Sequence, residues 1–135
     1  MIVIDSSAVI EVLLRSQIGI EIEERILSPF ENLCAPHLLD LEIAQVLRRY
    51  CASGDMSPER GQNALDDLKD MPITRYPHDI FLSRIWELRN NITAYDAAYV
   101  ALAEALPAPL FTCDKRLASA PLNDVSIELF NKYPD

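Results

Sequence analysis

The chain has 135 residues, of which 50% are hydrophobic, and its 21 acidic against 12 basic side chains give a formal charge of −9. A chain of this length is the size of one ordinary domain, so we expect a single domain over residues 1–135. The negative charge excludes nucleic-acid binding by bulk charge attraction, so any phosphate substrate must be bound locally. Three cysteines without a CxxC pair, no basic leader and no long apolar run predict a cytoplasmic protein without disulfides or a membrane span.

The first half of the chain alternates between short apolar strands and helices. Residues 1–4 predict a buried strand, and Ser6 or Ser7 then caps a helix. A second helix is expected around residues 20–27. A strand near residues 32–35 precedes Pro36, which we predict as the first residue of a helix that runs to about residue 51.

The second half repeats this alternation. Ser57-Pro58 starts a helix, residues 73–74 form a small strand, and the apolar spacing over residues 81–88 predicts one face of a further helix. Thr93 opens the next helix, which ends near residue 105, before Pro107 and Pro109.

Two further strands are predicted near the C-terminus, a buried one over residues 110–113 and an edge strand over residues 125–129. Helices between short apolar strands indicate an α/β fold: a three-layer α/β/α domain whose short, mostly parallel sheet has about five strands. Ligands in such sheets bind beyond the carboxyl ends of the strands, where the strand order reverses.

Four acidic residues stand in apolar surroundings where folding alone would seldom place them. Asp5 ends the first strand, although it can also cap the following helix. Glu42 has Leu38, Leu39 and Val46 as helical neighbours, which predicts a place in the buried stripe, with a partly exposed border position as the alternative.

Asp96 and Asp114 can each be either a site residue or part of a helix cap. Asp96 is the sole charged residue between Ile92 and Ala103, yet Thr93-x-x-Asp96 is also a capping box. Asp114 follows the buried strand and can cap a short helix over residues 115–118. Two of the acids follow strands, two lie on helices, and all four are in apolar surroundings. Taken together they predict a shared site for Mg²⁺ or Mn²⁺, which prefer carboxylate oxygens. The two histidines lie apart and do not form a zinc site.

Four segments carry a family resemblance, and together they span nearly the whole chain. They are VIDSSA at residues 3–8, LDLEIA at 39–44, TAYDAAY at 93–99 and FTCDKRL at 111–117. In this order they resemble the PIN-domain family, and most closely the VapC-type toxins of bacterial and archaeal toxin–antitoxin pairs. Cys113 departs from the small residue that this family often has before its last acid.

The resemblance implies a Mg²⁺-dependent endoribonuclease, with Mn²⁺ as a possible substitute, whose catalytic and metal-binding quartet is Asp5, Glu42, Asp96 and Asp114. Asp5, Asp96 and Asp114 are expected to ligate the metal, and Glu42 to orient a metal-bound water.

The resemblance also implies supporting residues and partners. Ser6 and Thr112 would assist in positioning metal or water. Lys115 and Arg116 could contact the RNA backbone, although a solvated basic pair is the commoner outcome. A small antitoxin would fill an apolar groove and insert a basic side chain into the acidic pocket, and we expect a homodimer.

Three other classes of protein are compatible with an acidic pocket on an α/β fold. A receiver-like signalling domain usually has adjacent acids after the first strand and a Lys after the last, whereas this chain has Ser6 beside Asp5. A phosphatase of the Asp-x-Asp type is disfavoured by Ser7. A catalytically silent PIN-like binding module shares every folding constraint with the nuclease, so an activity assay is needed to separate the two.

Overall fold

Five parallel strands form one sheet in the computed structural model, which describes residues 1–27 and 29–131. The strands are β1 (Ile2–Ile4), β2 (Leu33–Pro36), β3 (Ile73–Tyr76), β4 (Leu110–Thr112) and β5 (Ile127–Leu129). Their order across the sheet is β3-β2-β1-β4-β5, and every neighbouring pair is parallel. The predicted α/β class and strand number are therefore confirmed. Ser28 and residues 132–135 of the predicted domain lie outside the described residues.

The helices form two groups. They are α1 (Ser6–Leu13), α2 (Gln17–Leu27), α3 (Leu38–Ala52), α4 (Pro58–Asp70), α5 (Leu82–Glu87), α6 (Ala94–Ala105) and α7 (Lys115–Ala118), with a 3₁₀ turn at Asp79–Phe81 before α5. Helix α1 packs against α2, α3 and α4, whereas α5 packs against α6, which crosses β1, β2 and β4. Because parallel connections are right-handed, α1–α4 and α5–α7 cover opposite faces of the sheet.

The strand order places a topological switch point beside β1. From β1 the chain moves outward on one side through β2 and β3, and then returns to the other side of β1 with β4 and β5. The carboxyl ends of β1 and β4 are therefore neighbours, and this is where ligands bind in open parallel sheets. Asp5 follows β1 directly and Asp114 follows β4 by two residues, so both lie at the switch point.

Helix starts follow the capping chemistry of the sequence, with one exception. Ser57 accepts a hydrogen bond from the Arg60 N–H at 3.1 Å, with Pro58 in the first turn, as predicted. Thr93 likewise caps α6. Helix α1 is capped by Asp5, whose side chain accepts from the Ala8 N–H. The prediction of Ser6 or Ser7 as the cap is therefore wrong, and the alternative prediction of Asp5 as the cap is confirmed.

The prediction for Pro36 is also wrong, because this residue ends β2 and α3 begins at Leu38. Pro36 pairs with Tyr76 of β3, and the His37 N–H donates to the Tyr76 carbonyl at 3.0 Å. Residues of β2 that pair with β1 are Leu33 and Cys34. Pro36 therefore lies past the contact with β1, where a missing N–H is tolerated at the end of a strand.

The buried apolar side chains form one continuous cluster around β1, β2 and β4. Gly19 of α2 sets the close approach of α2 to α1, because a Cβ there would lie 2.0 Å from the Glu11 carbonyl oxygen. Cys34, Cys51 and Cys113 are free thiols. Within residues 1–27 and 29–131, none of the helices combines the length and apolar character needed to cross a bilayer.

Candidate functional site

Asp5 is the buried centre of a hydrogen-bond network at the switch point, with 4% of its surface exposed. Its Oδ1 accepts from the Ser7 hydroxyl at 2.6 Å and from the Ala8 N–H at 3.1 Å. Its Oδ2 accepts a short hydrogen bond from the hydroxyl of Thr112, at the end of β4. The carboxylate is therefore held by α1 and by the neighbouring strand, in one orientation.

The same network connects β1 to the residues after β4. Thr112 Oγ1 accepts from the Asp114 N–H at 3.0 Å, and Ser7 Oγ accepts from the Cys113 N–H at 2.9 Å. Asp114 caps α7, because its Oδ1 accepts from the N–H groups of Arg116 at 2.8 Å and Leu117 at 3.4 Å. The expected capping role of Asp114 is thus realised, and it coexists with a position beside Asp5.

Glu42 reaches the site from α3 and is fixed by α6. The Tyr99 hydroxyl donates to Glu42 Oε1 at 2.7 Å. Glu42 is half-buried, so the prediction of a fully buried stripe position is wrong and the border position is the one adopted. The reason is visible in its neighbours, since Leu39 is buried whereas Leu38 and Val46 are only partly buried.

Asp96 lies in the first turn of α6 and is electrostatically coupled to the other three acids. Its N–H donates to Thr93 Oγ1 at 3.1 Å. Burial is the main cause that raises the pKa of the Asp96 carboxyl, and the negative charge of Asp114 raises it further, whereas the hydrogen bond with Thr93 and the positive charge of Arg116 lower it. The charge of Asp96 in turn contributes to the raised pKa values of Asp5 and Glu42. Asp96 is therefore the acid that joins the four carboxylates into one electrostatic unit.

Burial is the main cause of the raised pKa values in this unit. It raises the pKa of Asp5 from 3.8 to about 6, against the opposing effect of the hydrogen bonds from Ser7, Thr112 and Ala8. Burial also raises the pKa of Glu42, while the hydrogen bonds from Tyr99 and Ser6 lower it. The pKa of the neighbouring Cys113 thiol rises to about 12, through burial and then the charges of Asp5 and Glu11. The site is thus unfavourable for negative charge unless a cation is present.

The donor set fits a hard divalent cation. Within the described residues, none of the four acids makes an ion pair with an Arg or Lys side chain. In that same part of the chain, no three His, Cys, Asp or Glu side chains lie close enough together to hold one metal ion. Mg²⁺ ordinarily takes one or two carboxylates and keeps several waters, so the carboxylate chemistry fits and water must complete the shell.

Two clefts flank the acids on either side of the start of α6. One has a volume of about 430 Å³ and includes Thr93, Asp96 and Arg116 in its walls. The other, of about 390 Å³, contains Ser6, Glu42, Gln45 and Arg49 together with apolar side chains. Its apolar walls are formed by Leu38, Leu41, Val46 and Tyr95, of which Leu41 and Tyr95 are 76% and 66% exposed.

Two residues of the network were missed from the sequence, Ser7 and Tyr99. Ser7, rather than Ser6, contacts Asp5, whereas Ser6 affects Glu42 and Tyr99. Thr112, which was predicted as a supporting residue, donates a hydrogen bond to Asp5. Helical spacing provides a signal for Tyr99, which lies three residues after Asp96 and so on the same side of α6.

Lys115 and Arg116 are both exposed, and Arg116 lines the larger cleft.

The chain is similar to a known protein family and to proteins of known structure. The PIN domain model matches residues 2–122. A VapC ribonuclease of Mycobacterium bovis, Mb0985, is 44% identical over 118 residues, which cover 87% of this chain and 89% of that protein.

The fold also matches solved structures at low sequence identity. VapBC2 from Rickettsia felis, bound to a DNA fragment from its promoter, has a TM-score of 0.67 at 15% identity and covers 97% of this chain and 98% of that one. A toxin–antitoxin complex from Klebsiella pneumoniae has a TM-score of 0.60 at 15% identity and covers 94% and 100%.

The structure is an α/β domain with acids at the switch point of its sheet. The chain belongs to the PIN-domain family. Its 44% identity to a VapC ribonuclease, over most of both chains, places it in the VapC group of that family.

Proposed function

We propose that this PIN domain is a divalent-metal-dependent endoribonuclease. Its proposed catalytic side chains for the hydrolysis of RNA phosphodiesters are Asp5, Glu42, Asp96 and Asp114. The observation that carries the proposal is the state of Asp5, a buried carboxylate without a cationic partner among the described residues, beside a second acid that raises its pKa further. Such a group is rarely tolerated unless it binds a cation. The similarity to a protein named a ribonuclease supports RNA as the substrate.

Asp5, Asp96 and Asp114 would hold Mg²⁺, or Mn²⁺ as a substitute, with one or two of the carboxylates bound directly and the rest bound through water. A bound divalent ion supplies activation of water and neutralisation of charge on the phosphate. Glu42 orients water at the edge of the site, where its carboxylate is held by Tyr99.

The supporting hydroxyls keep the acids in position before substrate binds. Ser7 and Thr112 hold the two oxygens of Asp5 from different elements, and Thr112 also accepts from the backbone of Asp114. The distance between the acids after β1 and β4 is therefore set by the sheet and not by flexible side chains. Fixed ligands of this kind avoid reorganisation during the reaction, which is the main contribution a protein makes to such catalysis.

The smaller cleft supports a second part of the proposal, an antitoxin partner. Its exposed Leu41 and Tyr95 lie beside Glu42. An apolar segment with one basic side chain would cover the apolar walls and pair with the acids, thereby blocking the site. The fold match to a toxin–antitoxin complex is compatible with this arrangement. The homodimer stays a prediction.

The test is cleavage of total RNA by the purified protein in Mg²⁺ or EDTA, followed by mapping of the cut ends. We expect cuts in Mg²⁺ that EDTA abolishes and that Asp5→Ala reduces by about a hundredfold or more. Asp67→Ala is the matched control, because Asp67 is an exposed acid on α4. Cleavage that survives both EDTA and Asp5→Ala would refute the proposal.

A catalytically silent binding module is the second candidate. It is favoured by one observation, namely that no three acids of the described residues lie close enough together to hold a metal ion. The same assay separates the two, since a silent module leaves RNA intact in Mg²⁺ and in Mn²⁺. A folded wild-type protein with a cooperative melt and no cuts would decide for this candidate.

A further inference from the structure

The function proposed above uses only Asp96 among the residues that line the larger cleft. It lies at the N-terminal end of α6, and its walls come from residues 89–93, Asp96, Arg116 and Leu117. Its volume of about 430 Å³ is in the range of cavities that hold a small ligand. Because Asp96 belongs both to this cleft and to the acidic unit, a molecule in the cleft would be adjacent to the reacting centre.

Two guanidinium groups give the cleft a local positive charge in a chain of net charge −9. Arg89 and Arg116 both line it, on the segment before α6 and on α7. Neither makes an ion pair with a carboxylate of residues 1–27 or 29–131. Arginine presents a fork of donors that matches phosphate oxygens, and two such groups in one cleft attract an anion locally.

Arg89 is held in place before any ligand arrives. Its Nη1 donates to the Trp86 carbonyl oxygen at 2.9 Å, and its guanidinium carbon lies 4.7 Å from the centre of the Trp86 ring. These contacts use only part of the donor capacity of the guanidinium, which has five N–H groups. The side chain thus loses less conformational entropy on binding a phosphate than a mobile surface arginine would.

We propose that this cleft binds the unpaired RNA nucleotide next to the cleaved phosphodiester, and that Arg89 and Arg116 bind its backbone phosphates. The inference rests on the ribonuclease function proposed above, to which it adds the cleft and the two side chains that hold the RNA backbone beside the cut. A single-nucleotide cleft favours an unpaired strand, because bases in an A-form duplex are stacked inside and the phosphates follow a rigid path. Arg89 is new in this role, whereas the sequence had indicated only Lys115 and Arg116.

The experiment measures binding separately from cleavage. All proteins carry Asp5→Asn to suppress cutting, and a labelled single-stranded RNA oligonucleotide is titrated in Mg²⁺ by fluorescence anisotropy at several salt concentrations. Arg89→Gln and Arg116→Gln are compared with Arg48→Gln, an identical charge change at an exposed position of α3 that lines neither cleft. Thermal melting confirms that each variant is folded.

We expect each cleft variant to bind about tenfold more weakly and to lower the slope of log affinity against log salt by about 0.7, the value for one phosphate contact on a single strand. Arg48→Gln should leave that slope unchanged. A duplex of the same sequence should bind about tenfold more weakly than the single strand. Equal affinities and slopes in the three Arg variants, or equal binding of duplex and single strand, would overturn the inference.

Failure of the cleft and failure of the proposed catalysis give different results. If the wild-type protein does not cut RNA but both cleft variants bind the oligonucleotide more weakly, the catalytic proposal fails and the cleft assignment stands. If the wild-type protein cuts RNA while both cleft variants bind the oligonucleotide like Arg48→Gln, the catalytic proposal stands and the cleft belongs to another ligand, such as a protein segment.

Discussion

Replacing Asp5 by Asn should stabilise the metal-free protein at neutral and basic pH, although it removes a proposed catalytic group. The pKa of Asp5 is raised from 3.8 in the unfolded chain to about 6 in the folded one. The folded state therefore keeps a proton that the unfolded state has already released. Stability from this group is fully present below about pH 4 and is lost as the pH rises through about 6.

The size of the effect follows from the two pKa values. Ionising Asp5 in the folded state costs about 3 kcal/mol relative to the unfolded chain at pH 8, and only about 1 kcal/mol at pH 4.5. Asn has no charge to bury, and its amide resembles the protonated carboxyl in shape. Any hydrogen bond to Ser7 or Thr112 that the amide makes less well lowers stability at both pH values alike. The advantage of Asp5→Asn should thus grow by about 2 kcal/mol between pH 4.5 and pH 8.

Urea denaturation in EDTA at both pH values measures this difference directly. Asp67→Asn is the control, since this exposed acid on α4 should change stability by less than about 0.5 kcal/mol at either pH. A stability change for Asp5→Asn that is the same at pH 4.5 and pH 8 would refute the reasoning, because the raised pKa of Asp5 requires the change to grow with pH.

Two further predictions concern the metal and the orientation of Glu42. Mg²⁺ or Mn²⁺ should raise the melting temperature of the wild-type protein by about 5 °C at saturating concentration, and Asp96→Asn should remove that increment, whereas equal increments in both proteins would count against the site. Tyr99→Phe removes the hydroxyl that lowers the pKa of Glu42, so the acid limb of the pH–rate profile should move to higher pH. An unmoved limb, with activity otherwise intact, would exclude Glu42 ionisation from the reaction.

Local sequence patterns were sufficient for the strands and for two of the site acids. β1 and β4 are buried throughout. A strand buried on both faces appears in the sequence as a short, mostly apolar run, and a polar residue marks its end. Asp5 and Asp114 follow these runs, and parallel strands place their carboxyl ends at one edge of the sheet. The position of both acids could thus be derived from strand ends alone, without any knowledge of side-chain contacts.

Local patterns failed where a distant neighbour decides the outcome. Pro36 is a good first residue for a helix by its own chemistry, but its pairing with Tyr76 keeps it in β2. Glu42 has apolar helical neighbours, yet its carboxylate reaches the border of the core to meet the Tyr99 hydroxyl. In both cases the partner lies 40 or 57 residues away, beyond the reach of helical periodicity.

The hydroxyl network around Asp5 and the clefts beside the acids also depend on residues that are distant in sequence. Ser7 meets Thr112 and Cys113 across more than 100 residues of sequence. The sequence offered Ser6 and Ser7 as neighbours with equal chemistry, and only the rotation of α1 about its axis decides which of them faces β4. The cleft with Arg89 depends likewise on how the segment before α6 approaches α7.

Capping alone does not account for an acid at position 5. As a helix cap, Asp contributes about 1 kcal/mol, and Ser or Asn caps a helix about as well. Burial of its charge costs about 3 kcal/mol at neutral pH, so Asn would give a more stable metal-free fold with the same cap. Asp114 differs, since it is half-buried at the start of α7 and capping is a sufficient reason for it. Asp5 is therefore the residue whose identity points most directly to a bound cation, and its replacement is the strictest test of the site.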